Sequence, residues 1–420
     1  MASLFLISTA IQLTNGHLSR PALAGVTAGL VCCIWGFLSD DRRFHWWLPH
    51  LILAAEFLCL LFSRPTLGVA ANAVPFRAGI LFCAASSTAV CTLRNHRWNP
   101  VAFGAAVACS FAIGAWILST TPAPRVDVYA FHQAGSLALF SGANPYEVHS
   151  QDIYGPEESR RVYGPGLSFD GTLTFGFPYP PISLFISSLG YFVAGDCRYA
   201  HLAAISLAAL LIAYARPSRL SFTAALLFLF TPRVFFVLEQ NWTEPVLVFL
   251  FTLTVFCRCR FPAAAPWVAG LLLAGKQYLI FTGPVLLRNW REVPKSLISA
   301  AVVTAPLALW NFAEFFRSTV TVQFVQPLRL DALSYMAQLA RYGILLPTWV
   351  PFVLTVAAIV FVLRKAPATP TALASAIALI LIVFFVFNKN AFCNYYYLII
   401  GALASAIATA NVKSPAGTAA

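Results

Sequence analysis

Apolar stretches long enough to cross a membrane recur along the whole chain and restrict its fold more than any other feature. A hydrocarbon core of about 30 Å needs about 20 apolar residues per helix, and such stretches occur near 22–38, 45–63, 78–93 and 100–120. Hydrophobic residues make up 59% of the chain and charged residues 10%. Because lipid offers no hydrogen bonds to an exposed backbone, the pattern predicts an all-α polytopic membrane protein.

The positive charge is distributed between the apolar stretches. The net charge of +12 comes from 27 Lys and Arg residues that stand singly or in pairs, unlike the basic stripe of a nucleic-acid-binding surface. We therefore expect no nucleic-acid partner. Basic loops favour the cytoplasmic side of a membrane. If the loops 40–43 and 94–97 are cytoplasmic, the long polar segment 121–177 faces outward.

This placement divides the chain into three parts. Residues 1–120 form N-terminal transmembrane spans, 121–177 an extracytoplasmic loop with an amphipathic helix, and 178–420 a bundle that completes the active-site cavity. The loop holds six of the fifteen acidic residues. The apolar start of the chain lacks a basic leading region, so we do not expect it to be a cleaved signal.

The membrane topology of the second half follows if its basic clusters are placed on the cytoplasmic side. These clusters lie near 216–219, 258–260, 288–295 and 364–365. The segment 178–195 does not fit this alternation. We predict that it dips into the membrane and returns, or crosses obliquely.

A carboxylate directly follows the fourth apolar stretch. Asp127 is followed by Val128, Phe131 and Leu137 at roughly helical spacing, which predicts an amphipathic helix lying on the membrane surface. Asp127 would then stand where water meets the membrane. A helix-capping role and a role in chemistry both fit this position.

A polar point interrupts a later apolar region. Gly275-Lys276-Gln277 separates 263–275 from 279–287, and each flank is short for a full span. Non-helical backbone at membrane depth is tolerated only beside protein or a water-filled cavity. Lys276 is therefore predicted to line a cavity.

These elements carry a family resemblance. A span, Asp127, a helix closing on Gly142-x-Asn144-Pro145-Tyr146, and then Tyr179-Pro180-Pro181 resemble the GT-C glycosyltransferases. Within that superfamily the chain is most similar to glycosyltransferase family 87, the polyprenyl-phosphate-mannose-dependent mannosyltransferases. Further matches at 232–240, 270–276 and 389–397 extend the resemblance over 121–410.

The resemblance implies a GT-C-like bundle of about 11 to 13 transmembrane helices with an outward loop carrying amphipathic helices. It also implies a bacterial inner-membrane enzyme whose active site faces the extracytoplasmic side. The implied reaction is an inverting transfer of a hexose, mannose in family 87, from a polyprenyl-phosphate donor to a lipid or glycan acceptor. Asp127 would be the general base.

No cofactor is expected, since the lipid-linked sugar is itself the donor substrate. Val128 stands where some GT-C members have a second acid after Asp127, so we also expect no metal. Membrane lipid is a further expected partner.

The candidate site residues fall into two groups. Cations on the predicted outer side could bind the donor phosphate, although a lone Lys near a span end often only anchors the helix: Lys276, Lys389, Arg341 and Arg329. Polar and aromatic residues on that side could bind substrate: His132, Tyr146, Tyr179, Glu239, Gln240, Gln277, Tyr278 and Asn394.

Two other functions use many spans and lipid-linked sugars. A polyprenyl-linked glycan flippase or transporter would carry charged residues along the full membrane depth, whereas here they gather on one side. An O-antigen ligase or polymerase would need a large late loop with Arg and His. The loop 314–342 has Arg317, Arg329 and Arg341 but no His.

Overall fold

The computed structural model describes residues 1–39, 45, 47–63, 66, 73–92 and 98–410. The loops 40–43 and 94–97, which the topology prediction used, lie outside the described residues. The described chain is helical apart from one short hairpin and isolated bridges, so the all-α prediction is confirmed.

The described part of the chain before residue 121 forms five helices: α1 (Ala2–Thr14), α2 (Arg20–Leu38), α3 (Leu48–Phe62), α4 (Val74–Thr92) and α5 (Asn99–Thr120). Helices α2 to α5 correspond to the four predicted spans. Helix α1 was not predicted as a membrane element. It packs against α2, where Ser3 donates a hydrogen bond to the Gly29 carbonyl (2.8 Å), and against the last helix of the chain.

The segment 121–177 is more ordered than a loop. It contains α6 (Asp127–Phe140), α7 (Pro156–Val162) and an antiparallel hairpin of β1 (Ser168–Phe169) and β2 (Thr172–Leu173). In α6, Val128, Phe131 and Ala138 are buried, whereas Leu137 and Phe140 are exposed. One apolar face of the helix therefore packs against the protein, and a second apolar patch, formed by Leu137 and Phe140, is exposed.

The segment 178–195, predicted to dip into the membrane and return or to cross it obliquely, contains one continuous helix. It forms α8 (Ile182–Ala194), which packs against α6 and against the next helix, α9 (Arg198–Ala215). At its end, Gln133 donates a hydrogen bond to the Gly195 carbonyl (3.1 Å), and Arg198 donates to the Pro122 carbonyl (3.4 Å). The first contact joins the end of α8 to the middle of α6, and the second joins the start of α9 to the residues that follow α5. The path of 178–195 through the membrane stays a prediction.

The remaining helices complete the bundle: α10 (Arg219–Leu229), α11 (Val234–Glu239), α12 (Glu244–Arg260), α13 (Ala265–Leu273), α14 (Gly283–Leu286), α15 (Val293–Trp310), α16 (Phe312–Phe316), α17 (Val322–Val325), α18 (Tyr335–Ala340), α19 (Val350–Lys365), α20 (Pro370–Val386) and α21 (Cys393–Thr409). Shorter 3₁₀ helices span Gln277–Thr282 and Trp290–Glu292, and a π-helix spans Arg317–Thr321. The segment 314–342, predicted as a loop, is thus largely helical.

The later basic clusters meet at the end of the bundle away from α6. Arg216 donates to the Thr409 carbonyl (3.1 Å), Arg288 donates to the Ala366 carbonyl (2.7 Å), and Arg258 pairs with Glu292. These contacts join the ends of α9, α12, α19 and α21.

Five described helices are long and apolar enough to cross a membrane, judged by length and composition: Arg20–Leu38, Val74–Thr92, Asn99–Thr120, Arg198–Ala215 and Trp290–Trp310. Shorter apolar helices, including α20 and α21, pack among them. Helices α20 and α21 are buried along most of their length and form much of the apolar core. The chain is a multi-pass membrane protein.

Candidate active site

A cavity of about 800 Å³ opens at the end of the bundle that carries α6. Its wall draws on distant parts of the sequence, from the turn after α1 through the start of α6 to the first residues of α21. Asp127, Lys276 and Lys389 all line it. Arg329 lines it as well, so folding brings the predicted base and three of the four predicted cations to one space.

Asp127 is held by hydrogen bonds at the edge of this cavity. Its Oδ1 accepts from the Val128 amide (2.8 Å), and the Tyr163 hydroxyl donates to Oδ2 (3.1 Å). Burial raises the pKa of Asp127, while the hydrogen bonds from Tyr163 and Val128 and the positive charge of Arg329 offset part of the rise. A fixed, partly desolvated carboxylate of this kind suits a general base.

Helix capping does not account for Asp127. The N-cap of α6 is Val126, and Asp127 is the first helical residue. The capping interpretation of this carboxylate is therefore wrong, although a negative charge at this position still interacts favourably with the helix dipole.

Lys276 lies in a buried ion pair. Its Nζ donates to Oε1 of Glu244 (2.6 Å) and to Oγ1 of Thr243 (2.8 Å). The Asn394 amide and the Tyr278 hydroxyl donate to the same carboxylate, at 2.7 Å and 3.1 Å. Both charges are out of water and fully hydrogen-bonded, the condition under which a buried pair is tolerated. Lys276 thus lines the cavity as a neutralised cation.

Three tyrosines surround the same ammonium. The ring centroids of Tyr179, Tyr395 and Tyr278 lie 4.9, 5.1 and 5.6 Å from the Nζ of Lys276. Cation–π contacts strengthen where water is excluded. The ion pair and these rings form a rigid aromatic wall on one side of the cavity.

The other two cavity cations differ in how they are paired. Arg329 donates to both oxygens of Asp331, at 2.9 and 2.8 Å. Lys389 donates to the carbonyls of Phe324 (3.3 Å) and Gln326 (2.5 Å). Among the Lys and Arg side chains that line the described cavity, Lys389 alone has no carboxylate partner. It is therefore the cation best placed to meet an anion.

Large apolar side chains form another flank of the cavity. Ile280, Phe324 and Trp349 line it and yet expose 69%, 71% and 60% of their surface. Phe281 and Phe352 lie beside them, with ring centroids 5.9 Å apart. These residues form an exposed apolar surface at the opening of the cavity.

The predicted site residues divide into two sets. Those that line the cavity are Asp127, Tyr179, Lys276, Gln277, Tyr278, Arg329, Lys389 and Asn394. Those outside its lining are His132, Tyr146, Glu239, Gln240 and Arg341. The roles of both sets in substrate binding remain predictions.

Two of the residues outside the cavity lining contact Tyr179 on the side away from the cavity. Tyr146 donates to the Tyr179 carbonyl (2.8 Å), and the His132 ring stacks on Tyr179 at a centroid distance of 6.2 Å. His132 is buried, its Nδ1 donates to the Val128 carbonyl (2.8 Å), and burial lowers its pKa to about 4. His132 therefore packs against Tyr179 and does not line the cavity.

The other three residues also bond within the protein. Gln240 donates to Glu239 (3.3 Å), and both are buried at the end of α11. Arg341 donates two hydrogen bonds to the Leu330 carbonyl, at 3.1 and 2.9 Å. The predicted phosphate contact of Arg341 is therefore not supported by its position.

Sequence reasoning missed Glu244 and Tyr163. Glu244 could have been found from the sequence, because it begins an apolar stretch. A charged side chain there costs free energy unless it is paired, so a partner is expected. Tyr163 stands in the polar segment without any local pattern that marks it. Asn15 and His17 also line the cavity, and they precede the part of the chain that carries the family resemblance.

Comparison with known proteins finds a distant structural similarity. No protein-family model matches the chain, and no curated protein does. A crystal structure of ArnT from Cupriavidus metallidurans bound to undecaprenyl phosphate matches with a TM-score of 0.45 and 14% sequence identity. The match covers 75% of this chain and 60% of that one. At this identity it assigns no role to any residue here, and the resemblance to family 87 stays a prediction.

Proposed function

We propose that this protein is an integral membrane glycosyltransferase that moves a sugar from a polyprenyl-phosphate donor to a lipid or glycan acceptor. One observation supports the proposal: a single cavity combines the Asp127 carboxylate, an exposed apolar flank and the Lys389 ammonium, which has no carboxylate partner among the described residues. An anionic head group on an apolar chain is complementary to this combination.

The proposed reaction gives a role to each of these groups. Asp127 accepts the proton of the acceptor hydroxyl, and the oxygen attacks the anomeric carbon of the sugar. The bond between that carbon and the phosphate oxygen breaks, and polyprenyl phosphate leaves with the bonding electrons. Lys389 balances the charge gained by the phosphate. A single displacement of this kind inverts the anomeric configuration.

The finer assignments rest on the family resemblance. The transferred sugar is a hexose, and mannose is the sugar of family 87. Transfer takes place on the extracytoplasmic face of a bacterial inner membrane. The reaction uses no metal and no cofactor. The clustering of Arg216, Arg258 and Arg288 at the opposite end of the bundle supports this orientation.

The test compares wild-type protein with Asp127→Asn. Both are purified into lipid nanodiscs and incubated with labelled polyprenyl-phosphate hexoses and extracted lipid or glycan acceptors. Loss of a general base is expected to lower transfer by about 10²- to 10⁴-fold, or about 3–5 kcal/mol of barrier. Asp170→Asn, in the exposed turn of the hairpin at φ 46°, is the matched control and should transfer at the wild-type rate.

Equal transfer by wild type and Asp127→Asn would overturn the role of Asp127. Movement of the lipid-linked sugar across vesicles without any transfer would instead favour the flippase.

A further inference from the structure

We propose that the turn between α1 and α2 completes the donor site, and that His17 binds the phosphate of the lipid-linked sugar. This inference rests on the proposed function and deepens it. The turn belongs to the N-terminal part of the chain, for which the family resemblance implies no role.

The turn is fixed in place by close backbone contacts. Gly16 has φ +77°, and a Cβ atom there would lie 2.1 Å from the backbone nitrogen of Cys393 at the start of α21. The Leu18 amide donates to the Asp331 carbonyl (2.8 Å), and His17 forms an antiparallel bridge with Ala332. The position of the His17 backbone is therefore determined by two other segments of the cavity wall.

The His17 side chain is oriented within the cavity. Its Nδ1 lies 3.5 Å from Oδ2 of Asp331, and its ring meets Phe392 edge-on at a centroid distance of 5.8 Å. The side chain is 54% exposed, and it lines the same cavity as Arg329 and Lys389. With Nδ1 directed at a carboxylate, Nε2 is the ring nitrogen available to a ligand.

The charges around His17 favour an anion. Asp331 is shared between His17 and Arg329, so the three groups together carry a net positive charge when the imidazole is protonated. The protonated ring can then donate from Nε2 to a phosphate oxygen, a charge-assisted hydrogen bond. The phosphate becomes more negative as the sugar departs, so this interaction and that of Lys389 strengthen along the reaction.

Asn15, two residues before His17, lies at the same turn. Asn15 lines the cavity with a left-handed backbone (φ 56°), and its Oδ1 is buried without a hydrogen-bond partner in the described part of the chain. A buried polar atom of this kind normally has a partner.

The experiment measures donor binding and turnover separately. Equilibrium binding of polyprenyl phosphate and the steady-state KM for the polyprenyl-phosphate sugar are determined for wild type, His17→Gln and His17→Phe. The Phe variant keeps the ring contact with Phe392 and removes both nitrogens. Loss of a hydrogen bond to a charged group should raise the Kd and the donor KM by about 10- to 100-fold in the Phe variant, less in the Gln variant, and leave the acceptor KM unchanged.

The control is His149→Gln, an exposed histidine in the polar segment 121–177 that does not line the cavity, and this variant should bind as wild type. Thermal unfolding midpoints equal to that of wild type establish that the His17 variants are folded. Wild-type Kd and donor KM in both His17 variants would overturn the inference. Because binding is measured without turnover, a failure of the wild type to transfer sugar overturns only the proposed function.

Discussion

The Tyr163 hydroxyl adjusts the basicity of Asp127. Burial raises the pKa of this carboxyl group, and the hydrogen bond from Tyr163 lowers it. Tyr163→Phe should therefore raise the pKa of Asp127 further. A base acts in its deprotonated form, so activity is lost as the pH falls through this pKa, and the acid limb of kcat/KM should move to higher pH in the variant.

The pH–rate profile of Tyr163→Phe is compared with those of wild type and Tyr191→Phe. Tyr191 stacks on Phe140, away from Asp127, and its variant should keep the wild-type profile. An acid limb that stays in place or moves to lower pH in Tyr163→Phe would contradict the role of this hydrogen bond.

The Glu244–Lys276 pair should behave as a unit. Glu244→Gln leaves a buried ammonium without its counter-charge, which typically costs about 3–5 kcal/mol. We expect a large fall in the thermal unfolding midpoint, and recovery of most of it in Glu244→Gln/Lys276→Met. Glu157→Gln removes an exposed pair with Arg161 and should melt as wild type. Additive effects of the two buried substitutions would refute the coupling.

At the scale of elements, α13 and α15 depend on a glycine contact. A Cβ atom at Gly270 would lie 2.1 Å from the Ser296 carbonyl, and the Ser296 hydroxyl donates to the Pro266 carbonyl (2.6 Å). Gly270→Ala should push the helices apart and destabilise the protein by about 1–3 kcal/mol.

The control for this contact is Gly104→Ala in α5, where no described atom outside the local helix backbone lies within 4 Å of the added Cβ. It should melt at or slightly above the wild-type temperature, because Ala favours a helix. Equal unfolding temperatures for the two variants would show that the close approach of α13 and α15 does not require glycine at position 270.

Prediction of the elements succeeded where the signal is local. The stretches near 22–38 and 100–120 correspond to Arg20–Leu38 and Asn99–Thr120, because span length and hydropathy are properties of the residues themselves. Prediction failed for α1, which has 13 residues, and for the short helices within 314–342. Helices of that length are stabilised by packing on their neighbours, which hydropathy alone does not reveal.

At the scale of the whole molecule, the two ends of the bundle should lie on opposite sides of the membrane. A reporter inserted after residue 150 is placed near α6, and one inserted after residue 367 is placed beside the Arg288–Ala366 contact. Paired phosphatase and fluorescent-protein fusions should report opposite sides, with residue 150 outside. The same side for both positions would contradict the arrangement of the helices.

The amino-acid sequence is sufficient to predict the class of the molecule, its main spans and the candidate carboxylate Asp127. Each follows from composition or from the order of residues along the chain. Which cations have a carboxylate partner depends on how remote segments pack, and the sequence does not show this. Lys276 and Lys389 look alike in sequence, yet Lys276 is paired with Glu244, whereas Lys389 bonds only carbonyl groups in the described structure. Electrostatic interaction depends on distance and burial, and both are set when remote helices pack together.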